Sequence, residues 1–140
     1  MAFFGEFFYT IDQANRLTVP AKFRDAVGGE VILYRAPEGC LFLYDALRFD
    51  EVRKKVDELS GTPNGRQMIR YFYSDVVQLS VDRTGRFIIP AEFMSYAGLK
   101  SDVVILGVGE RMEIWDKEVY MGEFGDRDAI PMNAYPQIEY

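Results

Sequence analysis

Residues 12–24 read DQANRLTVPAKFR, and seventy positions later residues 82–94 read DRTGRFIIPAEFM. Aspartate, arginine, proline, alanine and phenylalanine recur in register between the two stretches. Asp12 and Asp82 each begin a predicted tight turn, where an aspartate side chain accepts hydrogen bonds from backbone N–H groups that follow it. The chain is therefore built around one small unit that it carries twice.

Asn15 and Gly85 occupy the same, fourth position of the two turns. This position of a turn often has a positive φ, which glycine adopts freely and asparagine tolerates better than most residues. We therefore predict that Asn15 and Gly85 meet the same backbone requirement.

Arg16 and Arg86 follow the turns directly, and a turn does not itself require arginine. One interpretation is a surface ion pair with the aspartate of the same repeat, which is worth about 0–1 kcal/mol. The other is a pair of guanidinium groups that reach the phosphates or base edges of a nucleic acid. The residues alone leave both interpretations open.

The pattern around each unit predicts the order strand, turn, strand, short helix, strand, strand in both halves of the chain. In the first half the strands and the helix are predicted over 3–11, 16–19, 20–27, 31–35 and 40–44. In the second half they are predicted over 76–81, 86–89, 90–98, 102–109 and 111–115. Helical periodicity over 45–60, with Asp45 as its N-cap, and over about 66–74 predicts two helices between the halves.

The fold class that this order predicts is α+β. A repeat of about 40 residues is too small to hold a core by itself, so the sheets of one half are expected to complete those of the other. We divide the chain into a first repeat (5–45), a helical linker (46–74), a second repeat (75–118) and an acidic tail (119–140) of irregular structure.

Composition argues against an enzyme. The 140 residues contain no histidine and one cysteine, Cys40, which removes Ser–His and Cys–His pairs and Cys/His zinc sites. No phosphate-binding loop and no apolar stretch of membrane-spanning length are present. A hydrolase that uses Asp12 and Asp82 is also disfavoured, because a neighbouring arginine lowers the pKa of an aspartate away from the working pH. We therefore expect no catalytic residue, metal, cofactor, small-molecule substrate or membrane, and a cytoplasmic location.

The net charge of −6 seems to disfavour a nucleic-acid partner, but the charge is unevenly distributed. Residues 110–140 carry eight acidic and three basic side chains, which leaves the first 109 residues at −1. A local basic face is therefore possible there. The basic run Arg53–Lys55 is interpreted as the solvated face of a packing helix, and the acidic tail as a solvated end rather than a specific docking tail.

The first predicted strand places Phe3, Phe7, Tyr9 and Ile11 on one face. Aromatic side chains on a sheet can stack on nucleic-acid bases. No basic residue is interleaved before Arg16, which favours a place in the core or in a subunit interface.

Five segments of the chain together resemble the MraZ family of bacterial transcriptional regulators: GEFFYTIDQANRLTVPAKFR, GCLFLY, VDRTGRFIIPAEFMSYAGL, DVVILGVG and MEIW. The resemblance covers nearly the whole chain to about Trp115 and includes two DxxxR units in order. It implies two tandem AbrB-like repeats, folded together into a double-split, or swapped-hairpin, β-barrel with short helices. It also implies subunits that assemble into rings.

The resemblance implies a repressor that binds short direct repeats of double-stranded DNA, in the promoter of the division and cell-wall gene cluster, in association with the nucleoid. The DxxxR motif of the family falls on Asp12 with Arg16 and on Asp82 with Arg86, while Asn15 stands where the family usually has glycine. Arg83, Lys22 and Arg24 are added as DNA-binding candidates by proximity and charge. AbrB-like folds also serve as antitoxins that hold a partner protein by an extended tail, and this is the alternative function for residues 116–140.

Overall fold

The computed structural model describes residues 2–134, apart from the side chain of Met132. The strands of this part are β1 (Phe3–Thr10), β2 (Arg16–Thr18), β3 (Glu30–Arg35), β4 (Leu41–Tyr44), β5 (Val76–Ser80), β6 (Arg86–Ile88), β7 (Asp102–Gly109) and β8 (Met112–Asp116). The α-helices are α1 (Arg24–Val27), α2 (Ala46–Asp57), α3 (Pro63–Ser74), α4 (Ala91–Tyr96) and α5 (Lys117–Phe124). Short 3-10 helices lie at Ala21–Phe23, Glu58–Gly61, Arg127–Ala129 and Met132–Ala134.

The two halves of the chain exchange their first strands. The six-stranded antiparallel sheet has the order β1-β7-β8-β4-β3-β5, so β1 pairs with the second half and β5 pairs with the first. The registers of the two pairings are equivalent: Tyr9 lies opposite Val103, and Leu79 lies opposite Val31. The expectation that each half completes the sheet of the other is thus confirmed.

The second strands of the two repeats form a separate antiparallel ribbon, β2–β6. The α+β class and the antiparallel sheet are therefore confirmed. Within residues 2–134 the strand pairings form a six-stranded sheet and a two-stranded ribbon, not a closed barrel. The double-split barrel and the repeat boundaries at 5–45, 46–74 and 75–118 stay predictions.

Alternation along the strands buries both faces of the large sheet. One face packs under the ribbon, and Leu17 and Phe87 of the ribbon belong to the same buried cluster as Leu33 and Ile105 of the sheet. The other face carries a second cluster of mostly aromatic residues: Phe42, Tyr44, Phe49, Trp115 and Tyr120. The ribbon is therefore held on a fully packed support, which fixes the orientation of whatever its outer face carries.

The helical linker follows the predicted pattern with one shifted boundary. Asp45 caps α2 by accepting a 2.7 Å hydrogen bond from the backbone N–H of Arg48, as predicted. The helix α3 begins at Pro63 rather than near residue 66, because Thr62 accepts from the N–H of Gly65 and proline suits a first helical position. Phe72 of α3 stacks on Phe49 of α2 at 5.9 Å between ring centroids.

The prediction of an irregular tail over 119–140 is wrong for its first part, because residues 117–124 form helix α5. Asp116 caps this helix by accepting from the N–H of Val119 at 3.2 Å, as Asp45 caps α2. Tyr120 of α5 is buried at the place that Phe49 of α2 takes in the first half. The last six residues of the predicted tail, 135–140, lie outside the described residues.

Candidate nucleic-acid interface

Asp12 organises the first turn through both of its carboxylate oxygens. Its Oδ1 accepts from the backbone N–H groups of Ala14 and Arg16, each at 2.9 Å. Its Oδ2 accepts from the side-chain Nε of Arg16 at 2.7 Å. The aspartate thus holds the turn and, at the same time, the root of the arginine side chain.

Asp82 repeats this arrangement in the second turn. Its Oδ1 accepts from the backbone N–H groups of Thr84 and Arg86, each at 2.9 Å, and from the Thr84 hydroxyl at 2.8 Å. Its Oδ2 accepts from Arg86 Nε at 3.2 Å. The predicted interpretation of an ion pair within each repeat is therefore correct as a description of geometry.

The same hydrogen bonds lower the pKa of both carboxyl groups. The backbone N–H of Arg16 contributes most at Asp12, and that of Arg86 at Asp82, whose pKa falls to about 2 with the help of the Thr84 hydroxyl. A carboxyl group whose pKa is lowered by folding stabilises the folded state at pH values above its unfolded pKa of about 4. This stabilisation is lost as the pH falls through the pKa of the folded state. Both turns therefore keep their ion pairs at neutral pH.

Asn15 and Gly85 have φ values of 60° and 81°, so the predicted backbone requirement is confirmed. Among residues 2–134, Asn15 alone has a positive φ without being glycine. A backbone hydrogen bond also closes each turn. The N–H of Asn15 donates to the carbonyl of Asp12, and the N–H of Gly85 donates to the carbonyl of Asp82, both at 3.0 Å.

The neighbours of the two turns explain why one has asparagine and the other glycine. The side chain of Arg24 crosses from the first repeat and lies over Gly85, where a Cβ would stand 2.5 Å from Arg24 Nε. Met94, the equivalent residue of the second repeat, lines a shallow depression with Asn15. Glycine at position 85 therefore makes room for a side chain from the other repeat.

We expect Gly85→Asn to destabilise the protein by about 1 kcal/mol, because the new Cβ displaces Arg24. Asn15→Gly is the matched control and should be nearly neutral, since both residues reach a positive φ. Urea unfolding of the two variants measures both effects. A loss above about 1 kcal/mol in Asn15→Gly would show that the asparagine side chain has a partner of its own.

The β2–β6 ribbon presents both arginines on one face. Leu17 lies opposite Phe87, and both point into the core. Arg16 lies opposite Ile88, and Thr18 opposite Arg86, on the alternate positions that face outward. The two arginines are thus diagonal neighbours, a relation that puts residues about 7–8 Å apart across an antiparallel pair.

The two guanidinium groups are held alike. Their side chains are 38% and 37% exposed, and each uses Nε for its own aspartate. The terminal nitrogens of the fork lie beyond this bond, and they are the donors that a planar oxyanion or a base edge can engage. The arrangement can therefore present two pre-oriented, outward-facing guanidinium groups from a rigid support.

The three candidates added by proximity and charge differ in what their side chains contact. Arg24 lies over the second turn and donates through Nε to the Val19 carbonyl at 3.2 Å. Arg83 is exposed within the second turn itself. Lys22 instead places Nζ over the rings of Phe4, Phe7 and Phe23, at 5.3–6.0 Å from their centroids. Among the contacts described for residues 2–134, none joins Lys22 to the ribbon.

The described part of the chain contains neither a cluster of metal ligands nor a membrane-spanning helix. Residues 2–134 contain no group of three histidine, cysteine, aspartate or glutamate side chains placed to hold a metal ion. Burial raises the pKa of Cys40 to about 12, which leaves it a neutral thiol. None of the described helices has the length and apolar character needed to span a membrane.

Fold and site together define a protein of two intertwined β-repeats that presents paired arginines on a two-stranded ribbon. A family described as "MraZ protein, putative antitoxin-like" matches residues 2–70 and 72–122. This chain belongs to the MraZ family.

Relatives named transcriptional regulator MraZ are similar over most of their length. The one from Syntrophomonas wolfei is 38% identical over 137 residues, which cover 97% of this chain and 93% of the relative. The one from Finegoldia magna is 40% identical over 117 residues, 83% of this chain and 82% of the relative. The chain is thus a transcriptional regulator and not an enzyme, which confirms the resemblance and the prediction about catalysis.

Proposed function

We propose that this chain regulates transcription by binding DNA in a sequence-specific manner, as a repressor that occupies a promoter. The observation that carries the proposal is the outer face of the β2–β6 ribbon, where Arg16 and Arg86 are diagonal neighbours. Two forks that are already held by aspartates lose little side-chain entropy on binding. The ribbon is suited to phosphates and to the O6 and N7 atoms of guanine.

The acidic net charge does not oppose this function. The acidic residues concentrate after residue 109, whereas the ribbon belongs to the nearly neutral first part of the chain. Only the surface that faces DNA needs a positive potential, and at the ionic strength of a cell charges more than about 8–10 Å away are largely screened.

We propose further that several copies assemble into a ring and bind short direct repeats in the promoter of the division and cell-wall gene cluster. A ring presents many ribbons to a tandem array and so multiplies affinity through effective concentration. Exposed Phe4 and Phe8 on the edge strand β1, 61% and 53% accessible, support a subunit contact. The double-split barrel, the cytoplasmic location and the nucleoid association belong to the same proposal.

Alanine substitution of either arginine tests the site. We expect wild-type protein to bind a fluorescent duplex of its own upstream region with steep salt dependence. Arg16→Ala and Arg86→Ala should each weaken binding by about tenfold or more, because a good arginine contact is worth about 1–3 kcal/mol. Titrations at several salt concentrations measure both quantities.

Two controls make this test specific. Arg70→Ala removes one exposed guanidinium from α3, where its described bond is to Gln67, and should bind like the wild type. Arg16→Lys keeps the charge but loses the fork, so it separates bidentate contact from simple attraction. Wild-type affinity in both alanine variants would mean that the arginines serve the turns alone.

The alternative is an antitoxin-like module that holds a partner protein through its C-terminal segment. The description of the family as putative antitoxin-like supports keeping it. A chain that ends at Gly125 keeps the buried Tyr120 and removes the remaining segment. Under our proposal this shortened chain binds DNA like the full chain, and loss of all DNA binding would favour the alternative.

A further inference from the structure

The ribbon is two-fold symmetric in its backbone. Val19 donates to the Gly85 carbonyl and Ile89 donates to the Asn15 carbonyl, both at 2.8 Å. A surface with two equivalent ends fits an inverted sequence, because the symmetry of a site mirrors that of its protein. A direct repeat has a direction, so a single subunit must distinguish its two ends to read such a repeat in one sense.

The side chains around the ribbon break this symmetry consistently. Arg83 of the second turn corresponds to Gln13 of the first. Arg24, which lies over the second turn, corresponds to Met94 beside the first. Both differences add a guanidinium group at the same end, next to Arg86.

The neighbouring helices enlarge the difference. The second turn, residues 82–86, and the segment 20–27, whose Arg24 lies against it, carry four basic and two acidic side chains, or three basic ones without Lys22, whose ammonium lies over phenylalanine rings. The first turn, residues 12–16, and the equivalent segment 90–97 carry one basic and two acidic side chains. Lys100 also lines the depression beside the first turn, but its ammonium bonds Glu118 at 2.9 Å.

Resting on the proposed function, we propose that the Asp82–Gly85 end of the ribbon anchors the phosphate backbone, so that each subunit docks on its DNA repeat in one orientation. Phosphate contacts fix the register and direction of a protein on a duplex, while base contacts specify the sequence. Arg24 and Arg83 are positioning residues in this account. Arg16, at the less basic end of the ribbon, and Arg86 then make the base contacts that specify the sequence of the repeat.

Directed cleavage of DNA tests the orientation. Asp25→Cys and Ser95→Cys introduce cysteines at equivalent, exposed positions beside the two ends. Native Cys40 is fully buried with a raised pKa, so an iron chelate reacts with the introduced thiol. On an end-labelled duplex of the upstream region, we expect the two variants to cut opposite edges of every repeat, always in the same sense.

A second set of variants changes the polarity itself. Arg83→Gln should weaken binding by about tenfold and reduce the salt slope by about one, as loss of one phosphate contact does. Adding Gln13→Arg, Asn15→Gly and Met94→Arg to the Asp25→Cys protein gives both ends the same guanidinium groups, with glycine at position 15 making room for the new arginine, and cuts should then appear at both edges.

The outcomes separate this inference from the proposed function. Equal cutting at both edges by each of the two cysteine variants would overturn the fixed orientation while leaving DNA binding intact. Wild-type affinity and salt slope in Arg83→Gln would overturn the anchoring role of that end. Absence of DNA binding by the unlabelled wild type would overturn the proposed function and this inference with it.

Discussion

Gly107→Ala is expected to destabilise the protein by about 3 kcal/mol, at or above the upper end of the usual cost of overpacking. Gly107 lies on β7 opposite Gly5 of β1. A Cβ at this position would stand 2.3 Å from the backbone nitrogen of Phe4 and 2.6 Å from the carbonyl carbon of Phe3. Backbone atoms cannot rotate away as a side chain can, so β1 would have to separate from the strand it pairs with.

Urea unfolding measures this effect, and Gly122→Ala provides its control. Gly122 lies within α5, and a Cβ there meets nothing within 4 Å. Alanine is preferred over glycine in helices by about 1 kcal/mol, so this variant should be neutral or more stable. Equal stability of Gly107→Ala and wild type would show that the exchange of β1 between the halves tolerates a wider spacing.

The turns were predictable because their structure is local. The aspartate, the residue of positive φ and the arginine lie within five positions, and the hydrogen bonds that join them run between these same residues. The exchange of strands followed from a simple physical argument, since a repeat of about 40 residues cannot bury a core by itself. Local chemistry and size together were therefore enough to predict the general architecture.

The contacts between repeats could not be predicted in the same way. Nothing in the sequence indicates that Arg24 lies over Gly85, or that the backbone of β1 closely approaches Gly107. Both depend on how two distant segments meet after the strands are exchanged. Lys22 is near Arg16 in sequence, but its ammonium lies over the rings of Phe4 and Phe7 of β1.

Helix α5 was missed although the sequence contains a signal for it. An apolar periodicity is weak over residues 117–124, and that pattern alone suggested irregular structure. The repeat itself was the better guide: YDALRF at 44–49 and WDKEVY at 115–120 share an aromatic residue, a capping aspartate and a second aromatic residue four positions later. Extending the repeat past its last strand would have predicted both the cap and the buried tyrosine.

That tyrosine gives the second large effect, and Tyr120→Ala should cost about 3–4 kcal/mol of stability. The ring of Tyr120 is 7% exposed and packs on Trp115 and Phe124, at 6.5 Å and 5.6 Å between centroids. Removing a buried aromatic side chain typically costs about 3–5 kcal/mol, because the cavity relaxes only in part. Burial and the bond to Glu6 raise the pKa of Tyr120, so its hydroxyl stays protonated and donates to Glu6 at 2.6 Å.

Tyr120→Phe separates the packing of the ring from the hydrogen bond. Phenylalanine keeps the ring and removes the hydroxyl, and one hydrogen bond is worth about 0.5–1.5 kcal/mol net. Glu6 remains partly exposed, so water can replace the lost donor and the cost should fall in the lower part of that range. If urea unfolding gives Tyr120→Ala the same stability as Tyr120→Phe, the ring contributes little. Helix α5 would then contribute little to the stability of the fold, as expected of an irregular tail. It would not be equivalent to α2, whose capping aspartate and buried aromatic residue it repeats.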